Sequence, residues 1–255
     1  MPIVQLKRES ICYAVHNPGD TRSVLLIHGS GGSHQHWPEQ IGTIDAPVYI
    51  PDLPGHGRSG GSSRSDVSAY ADVIEELVEK LELAKVVLGG HSLGGAIAQA
   101  IALRAPAWLD GIILVGTGSR LRVLPEILDG LLSDQKGTIG LIGQMLFGPD
   151  ASDDLKAFAE RIALDTPVQV THDDFSACNR FDVSERLGEI RCPTLILSGD
   201  ADLLTPVKYG KFLEQGIAGS RLAVIEGAGH MMGLEKPEIF VAEIQRFLEQ
   251  DIGKS

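Results

Sequence analysis

The sequence predicts an α/β fold in which a mostly parallel sheet is flanked by helices, and three observations support this prediction. The chain has 255 residues, of which 43% are apolar, enough to bury one large core or two small ones. Short aliphatic and β-branched runs recur without alternating with polar residues, which is typical of strands buried on both faces. Segments of helical length separate these runs. This order of elements indicates a doubly wound α/β domain.

Continuous apolar runs are predicted to be the strands of the sheet. The first, residues 23–29, reads Ser-Val-Leu-Leu-Ile-His-Gly and stops at a glycine. The others are residues 48–52, 86–90, 111–117, 194–199 and 222–227. Because none of them alternates apolar with polar residues, we expect helices to cover both faces of the sheet.

Amphipathic helices are predicted between and after these strands. Residues 66–83 place apolar side chains at steps of three and four, with Asp66 positioned to cap the first turn. Residues 93–104 form a second helix, which ends before Pro106. Pro237 opens the last helix, because proline is tolerated in a first turn.

One long stretch breaks this alternation and predicts a separate helical unit. Residues 118–191 carry no strand signal, and helical pieces there are separated by Pro125, Pro149 and Pro167. Two apolar stripes follow these pieces, one of Leu124, Ile127, Leu128, Leu131 and Leu132 and one of Leu155, Phe158 and Ile162. The sequence therefore predicts a core of residues 1–117 and 192–255 with an inserted helical cap of residues 118–191.

Charge and hydropathy exclude two classes of partner. The chain has 22 Lys and Arg against 34 Asp and Glu, a net charge of -12, so a nucleic-acid backbone would be repelled. No apolar run approaches the ~20 residues needed to span a bilayer. Lys7, Arg8 and Glu9 stand where a signal peptide would need its apolar stretch. We expect a cytoplasmic protein with no nucleic-acid partner and no membrane insertion.

Neither the cysteines nor the paired histidines indicate a metal site or a disulfide. Cys12, Cys178 and Cys192 are scattered, without the spacings that frame disulfides or bind zinc. His34 and His36 lie two residues apart, but no carboxylate or cysteine lies at a supporting distance along the chain. We expect no metal.

A serine nucleophile is indicated by residues 90–94, which read Gly-His-Ser-Leu-Gly and fit the pattern G-x-S-x-G. The motif lies directly after a predicted strand and directly before a predicted helix. So sharp a turn holds Ser92 in a strained backbone, and a Cβ at either flanking glycine would collide with neighbouring chain. The N–H of Leu93, at the start of the helix, can donate to an oxyanion.

A serine hydroxyl needs a base and an acid that orients the base, and both follow Ser92 in the chain. The candidate base is His230, in a Gly-Ala-Gly-His sequence just past the strand at residues 222–227. The candidate acid is Asp202, just past the strand at residues 194–199. Asp200 is a rival, but Asp202 lies farther into the loop, and Asp200 is better placed to brace the turn.

These motifs together resemble the α/β-hydrolase family over nearly the whole chain. Residues 28–32, His-Gly-Ser-Gly-Gly, resemble its oxyanion loop, and residues 52–59, Asp-Leu-Pro-Gly-His-Gly-Arg-Ser, resemble the structural turn after its next strand. Residues 199–206 and 229–237 resemble its acid and histidine segments. The resemblance implies the α/β-hydrolase fold, with a helical cap inserted after the sixth strand of that fold. It also implies that the N–H of Ser30 is the second oxyanion donor beside Leu93.

The predicted activity is that of a carboxylesterase-like serine hydrolase acting on a small, apolar ester. Ser92 attacks the carbonyl while His230 takes its proton, Asp202 orients the imidazole, and the amides of Ser30 and Leu93 stabilise the oxyanion. Water then releases the acyl group, with no cofactor required. Relatives that dehalogenate or open epoxides use an aspartate nucleophile, so Ser92 disfavours those reactions.

Two alternatives remain open from the sequence. One is a lyase, a carbon–carbon bond hydrolase or a lactonase acting on a small anionic substrate, which Arg120, Arg122 or Arg180 would contact. A salt bridge at the hinge of the cap explains these arginines as well. The other alternative is a ligand receptor that uses the capped pocket for binding alone.

Two further sets of side chains have predicted roles near the site. The histidines that adjoin glycines in the motifs are expected to brace loops through hydrogen bonds; they are His28, His56 and His91. The candidates for lining an apolar acyl or alcohol pocket are Met145, Phe147, Phe158, Phe175 and Phe181.

Overall fold

A computed structural model describes residues 1–19 and 22–252, and its centre is an eight-stranded sheet. The strands are β1 Ile3–Gln5, β2 Ser10–His16, β3 Ser23–Ile27, β4 Val48–Pro51, β5 Val86–His91, β6 Leu109–Val115, β7 Thr194–Gly199 and β8 Arg221–Ile225. Their order across the sheet is β1-β2-β4-β3-β5-β6-β7-β8. The pairs β1–β2 and β2–β4 are antiparallel, and all other pairs are parallel. The predicted mostly parallel sheet is confirmed.

The core lies on both faces of this sheet because neighbouring side chains of each strand point to opposite sides. Leu25 and Ile27 of β3 join the cluster that includes the helices at residues 67–80 and 93–102, whereas Val24 and Leu26 join the cluster that includes the helix at residues 237–247. All five residues of β3 are buried. This two-sided burial is the reason why the parallel strands read as continuous apolar runs.

The α-helices that cover the sheet are α1 Val67–Lys80, α2 Leu93–Ala102, α7 Val207–Gly216, α8 Met232–Glu235 and α9 Pro237–Phe247. Asp66 caps α1 as predicted, since its carboxylate accepts a hydrogen bond from the N–H of Ser68 at 2.8 Å. The predicted helices at residues 66–83 and 93–104 are confirmed. Their C-terminal ends come three and two residues earlier than predicted. Helices α7 and α8 were not predicted.

Four α-helices and a short 3-10 helix, Ser184–Glu189, follow β6 and precede β7, in the segment predicted to be a cap. The α-helices are α3 Pro125–Ser133, α4 Gln135–Leu146, α5 Asp153–Asp165 and α6 Val168–Arg180. Pro125 begins α3, and Pro167 directly precedes α6. An antiparallel bridge between Arg120 and Asp182 joins the chain segments that enter and leave these α-helices.

The helical segment has an apolar cluster of its own, formed by Ile127 and Leu131 of α3 with Ile139 and Ile142 of α4. The stripe predicted on α3 is wrong at its ends, because Leu124 is 66% and Leu132 is 56% exposed. Leu124 precedes the helix, and Leu132 follows Leu131 by 100° of helical rotation, so neither points into the cluster. Across the described residues, no helix has both the length and the apolar character to cross a membrane.

Candidate active site

Ser92 is the single residue between β5 and α2, and its backbone has an unusual conformation. Its φ of 52° and ψ of -112° lie in a region that L-residues rarely adopt, at a cost of about 1–3 kcal/mol. The N–H of Ser92 donates to the carbonyl of Val115 at 2.9 Å, and the Thr117 hydroxyl donates to the carbonyl of Ser92 at 2.8 Å. These bonds to the neighbouring strand hold the half-buried Ser92 at the edge of the sheet.

The two flanking glycines are required by close backbone approach. A Cβ at Gly90 would overlap the carbonyl of Gly94, and a Cβ at Gly94 would overlap the carbonyl of Ile27. Because neither glycine has a Cβ, the first turn of α2 can pack directly against β5 and β3. The sequence predicts these collisions at both glycines that flank Ser92.

His230 and Asp202 form a buried pair beside this turn. Nδ1 of His230 lies 2.9 Å from Oδ2 of Asp202, and the two residues are only 3% and 2% exposed. His230 lies five residues after β8, and Asp202 lies three residues after β7, so neighbouring parallel strands deliver both side chains to one edge. The carboxylate orients the imidazole with its other nitrogen directed away from Asp202.

Asp202 is held as a carboxylate by several donors. The N–H groups of Leu204 and Thr205 each donate to Oδ1 at 2.8 Å, and the Thr205 hydroxyl donates to Oδ2 at 2.7 Å. Burial raises the pKa of Asp202, but the charge of His230 and the hydrogen bonds from His230 and Thr205 outweigh it. The net pKa lies well below its usual range. Thr205, which was not predicted as a site residue, thus donates two hydrogen bonds to Asp202.

Asp200 occupies a different environment. It is exposed, and its Oδ1 accepts a hydrogen bond from the N–H of Gly227 at 2.7 Å. This contact joins the loop after β7 to the loop after β8. Asp200 therefore braces the turn, and Asp202 contacts the histidine.

The two candidate oxyanion donors come from different parts of the fold, the start of α2 and the loop after β3. Leu93 begins α2, and the first N–H groups of a helix have no acceptor within the helix. Ser30 lies in the loop after β3, and this loop passes close to the nucleophile, since a Cβ at Gly29 would be 3.3 Å from the Cβ of Ser92. Ser30 and Ser92 line the same cavity.

This cavity has a volume of about 470 Å³ and lies between the sheet edge and the helical segment. Ser92, His230 and Ser30 form its floor. Its walls are mostly apolar and include Ile139, Ile142, Leu146, Phe147, Ala159 and Phe175. Of the five predicted pocket residues, Phe147 and Phe175 line it. Met145, Phe158 and Phe181 are not among the described residues that line it, and Phe181 packs in the core instead.

Polar groups on the cavity wall include two buried atoms that have no hydrogen-bond partner within the described residues. They are Nε2 of His36 and Oγ1 of Thr171. Burial, reinforced by the neighbouring His56 and His230, lowers the pKa of His36 to about 4, so its imidazole is neutral at neutral pH. Lys156 and Glu160 also line the cavity with opposite charges.

The glycine-flanking histidines make hydrogen bonds to loops, as predicted. Nε2 of His28 accepts from the N–H of Leu53 at 3.0 Å, and Nε2 of His91 lies 3.0 Å from the carbonyl of His230. Burial first, and the neighbouring His230 second, lower the pKa of His91 well below its ordinary value. His91 is therefore neutral and donates to the backbone of the candidate base.

The three arginines considered as substrate contacts lie elsewhere. Arg120 is 3.4 Å from the carboxylate of Asp182, Arg122 donates to the carbonyl of Asn179, and Arg180 donates to Ser65. In the part of the chain that the structure describes, none of them lines the cavity that holds Ser92. Arg120 thus forms the predicted salt bridge where the helical segment leaves the sheet.

Glu235 connects the helical segment to the loop of His230 and was not assigned this role from the sequence. Its carboxylate accepts from the N–H of Gly148 at 2.7 Å and from the N–H of Gly229 at 3.0 Å. The N–H of His230 in turn donates to the carbonyl of Leu146 at 2.8 Å. Only the short span between Glu235 and Gly229 could have suggested such a contact in advance.

Known proteins with similar sequences include named hydrolases. RutD of Rhizobium rhizogenes, which is named as a proposed carbamate hydrolase, is 31% identical over 90% of this chain and 93% of RutD. A pimeloyl-acyl-carrier-protein methyl ester esterase of Neisseria meningitidis is 29% identical over 91% of this chain and 95% of that esterase. These names support the predicted hydrolase that acts on ester bonds.

A solved structure and a family model extend this similarity to the whole fold. The structure of a thermophilic esterase has a TM-score of 0.89 and 37% identity, covering 99% of this chain and 98% of that one. A model of the alpha/beta hydrolase family matches residues 24–243. The resemblance found in the sequence motifs is confirmed, and the chain belongs to the alpha/beta hydrolase family.

Proposed function

We propose that this protein is a serine esterase that hydrolyses small, uncharged carboxylic esters through an acyl-enzyme intermediate. The observation that carries the proposal is the buried pair of His230 and Asp202, 2.9 Å apart, in which His230 lines the same cavity as Ser92 on its strained turn. A serine, a base and an orienting carboxylate are the three groups that acyl transfer needs.

The first half of the reaction forms the acyl-enzyme. Nε2 of His230 takes the hydroxyl proton of Ser92 while Oγ of Ser92 bonds to the ester carbon. The carbonyl oxygen of the ester becomes an oxyanion. The N–H groups of Ser30 and Leu93 donate to that oxyanion. The bond to the leaving alcohol then breaks, and the alcohol oxygen takes the proton from His230.

The second half returns the enzyme to its starting state. His230 takes a proton from water, whose oxygen attacks the acyl carbon, and the proton passes to Oγ of Ser92 as the ester bond to the serine breaks. Asp202 remains a carboxylate throughout and stabilises the charged imidazole that forms in each half.

The cavity supports an apolar, uncharged substrate. Its volume of about 470 Å³ lies in the range that holds small organic ligands, and its walls are largely aliphatic and aromatic. The neutral His36 supplies a hydrogen bond and no charge. In this proposal residues 118–191 act as a cap whose helices α4, α5 and α6 form the walls, on the core of residues 1–117 and 192–255.

Hydrolysis of a panel of substrates tests this function. Rates are measured for p-nitrophenyl esters from acetate to decanoate, with a p-nitrophenyl carbamate, an aliphatic lactone and an anionic dienone as competitors. We expect esters to be preferred and Ser92→Ala to lower their kcat/KM by at least ~10³-fold.

The control is Ser133→Ala, at the exposed end of α3, which should keep full activity. An ester activity that survives in Ser92→Ala would refute the proposal. Faster hydrolysis of the lactone or the dienone would favour the alternative hypothesis of a lactonase or a carbon–carbon bond hydrolase.

A further inference from the structure

A buried hydrogen-bond network joins helix α6 to the loop that carries Ser30. Asp174 on α6 is fully buried, and its Oδ2 lies 2.8 Å from both the backbone N–H of Gly31 and Nε2 of His56. Its Oδ1 accepts the hydroxyl of Tyr70 at 2.5 Å. One carboxylate therefore connects the residue next to Ser30 to two side chains of the sheet domain.

The network contains a buried ion pair. Nδ1 of His56 lies 3.1 Å from the carbonyl of Pro54, so both ring nitrogens face oxygen acceptors and both must donate. Burial lowers the pKa of His56, but the charge of Asp174 and the hydrogen bonds to Asp174 and Pro54 outweigh it, and the net pKa is raised. Every polar atom around the carboxylate is thus a donor, as a buried charge requires.

The same face of α6 packs along the oxyanion loop. Thr171, Asp174 and Cys178 are spaced by three and four residues and therefore share one side of the helix. Sγ of Cys178 lies 3.6 Å from Oγ of Ser30, and a Cβ at Gly31 would lie 3.2 Å from the side chain of Thr171. A side chain at position 31 would therefore crowd Thr171.

The peptide groups on both sides of Gly31 are bonded to side chains of the helical segment. Its N–H donates to Asp174, and its carbonyl accepts from the hydroxyl of Thr166 at 3.0 Å. Gly31 has a φ of 64°, a conformation that glycine adopts without the strain that a side chain would bring. Fixing the peptide that follows Ser30 limits rotation about the backbone of Ser30 itself.

We propose that Asp174 is a positioning residue for the oxyanion hole. By holding the N–H of Gly31, it fixes the direction in which the N–H of Ser30 points, and so it sets the rate of acyl transfer. This inference rests on the proposed function. The helical segment then affects the reaction rate as well as the choice of substrate. The reason is that the N–H of Gly31, in a loop of the sheet, has its acceptor on α6.

The test compares Asp174→Asn with Asp173→Asn. Asp173 neighbours Asp174 on α6 and accepts from Ser63 at 2.7 Å and Gln169 at 2.9 Å, and within the described residues none of its hydrogen bonds reaches the oxyanion loop. An asparagine at position 174 keeps the shape but replaces one acceptor oxygen by a donor. Active sites are counted by phosphonate titration, so that loss of folded protein does not enter kcat.

Two quantities separate positioning from a purely structural role. We expect Asp174→Asn to lower kcat at least ~tenfold with KM changed less than ~twofold, because the oxyanion forms only after the substrate has bound. The affinity for phenylboronic acid, whose tetrahedral adduct on Ser92 carries an anionic oxygen in the oxyanion hole, should fall in parallel. Asp173→Asn should change neither quantity more than ~twofold.

Equal kcat and equal boronic-acid affinity in the two variants would overturn the proposal while leaving the esterase assignment intact. Failure of the phosphonate to label the parent protein at Ser92 would overturn both. Should Asp174→Asn fail to fold, Thr166→Val removes the other bond to Gly31 with little change in volume. That variant should lower kcat and boronic-acid affinity together by about threefold, and unchanged values would refute the inference.

Discussion

At the scale of single residues, the two aspartates of the loop after β7 show how environment assigns roles. Asp202 and Asp200 are two positions apart, yet Asp202 is 2% exposed and bonded to His230, whereas Asp200 is exposed and bonded to Gly227. A carboxylate can orient and stabilise an imidazolium only where water does not screen the pair. Asp202 has that environment.

Replacing each aspartate by asparagine tests this difference. We expect Asp202→Asn to lower kcat by a factor on the order of a hundred or more, because it loses the charge that stabilises His230 during proton transfer. Asp200→Asn should keep kcat within ~twofold, since the amide oxygen can still accept from Gly227. Steady-state kinetics on one p-nitrophenyl ester measure both. If Asp200→Asn were the more damaging change, the acid would have to be reassigned.

The sequence indicated Ser92, Asp202 and His230 because each stands just past a strand in a recognisable pattern. Asp174 carried no such signal. Its partners His56 and Gly31 are 118 and 143 residues away along the chain, and an aspartate within a helix is ordinarily a solvated side chain. Only the packing of α6 against the loops of the sheet reveals its role.

At the scale of secondary-structure elements, prediction succeeded where burial is two-sided. The strand at residues 194–199 was predicted with its observed ends, because all six residues of β7 are buried. Strands β1 and β2 were missed. They pair antiparallel at one edge of the sheet, β1 has three residues, and five of the seven residues of β2 are only partly buried, so neither forms a continuous apolar run.

Helix α7 was missed for a related reason. Only Gly210 and Leu213 of its ten residues are buried, so its apolar stripe is too narrow to stand out in the sequence. The helical segment was predicted, but the direction of its side chains was not. Which aromatic groups face the cavity depends on how α4, α5 and α6 pack, and that packing is a tertiary property.

The cavity wall makes a prediction about chain-length preference. Phe147 lines the cavity at the end of α4, whereas the ring of Phe158 packs under Arg161 at 5.4 Å. Phe147→Ala should shift the preferred acyl chain to greater length, changing the long-to-short ratio of kcat/KM by about tenfold. A misfit of one methylene is worth ~1–3 kcal/mol.

Phe158→Ala serves as the matched control and should leave the chain-length profile unchanged. The profile is measured with p-nitrophenyl esters of two to ten carbons. A shift produced by Phe158→Ala alone would mean that the acyl group binds on the other side of α5.

At the scale of the whole molecule, the site follows from the order of the parallel strands. Ser30, Ser92, Asp202 and His230 come after β3, β5, β7 and β8, and the carboxyl ends of parallel strands meet at one edge of the sheet. Residues more than a hundred positions apart are thereby brought together, and Ser30, Ser92 and His230 line one cavity. This is why the motifs alone could predict a candidate site, although they could not identify the substrate.

Labelling with an organophosphonate ester shows whether Ser92 is the nucleophile. The reagent bonds to a serine only when a base and oxyanion donors surround its hydroxyl. We predict one adduct per chain, on Ser92, with loss of ester hydrolysis in proportion to labelling and protection by phenylboronic acid. Peptide mass spectrometry identifies the residue. An adduct on a different serine, or full ester hydrolysis in protein fully labelled at Ser92, would contradict the account.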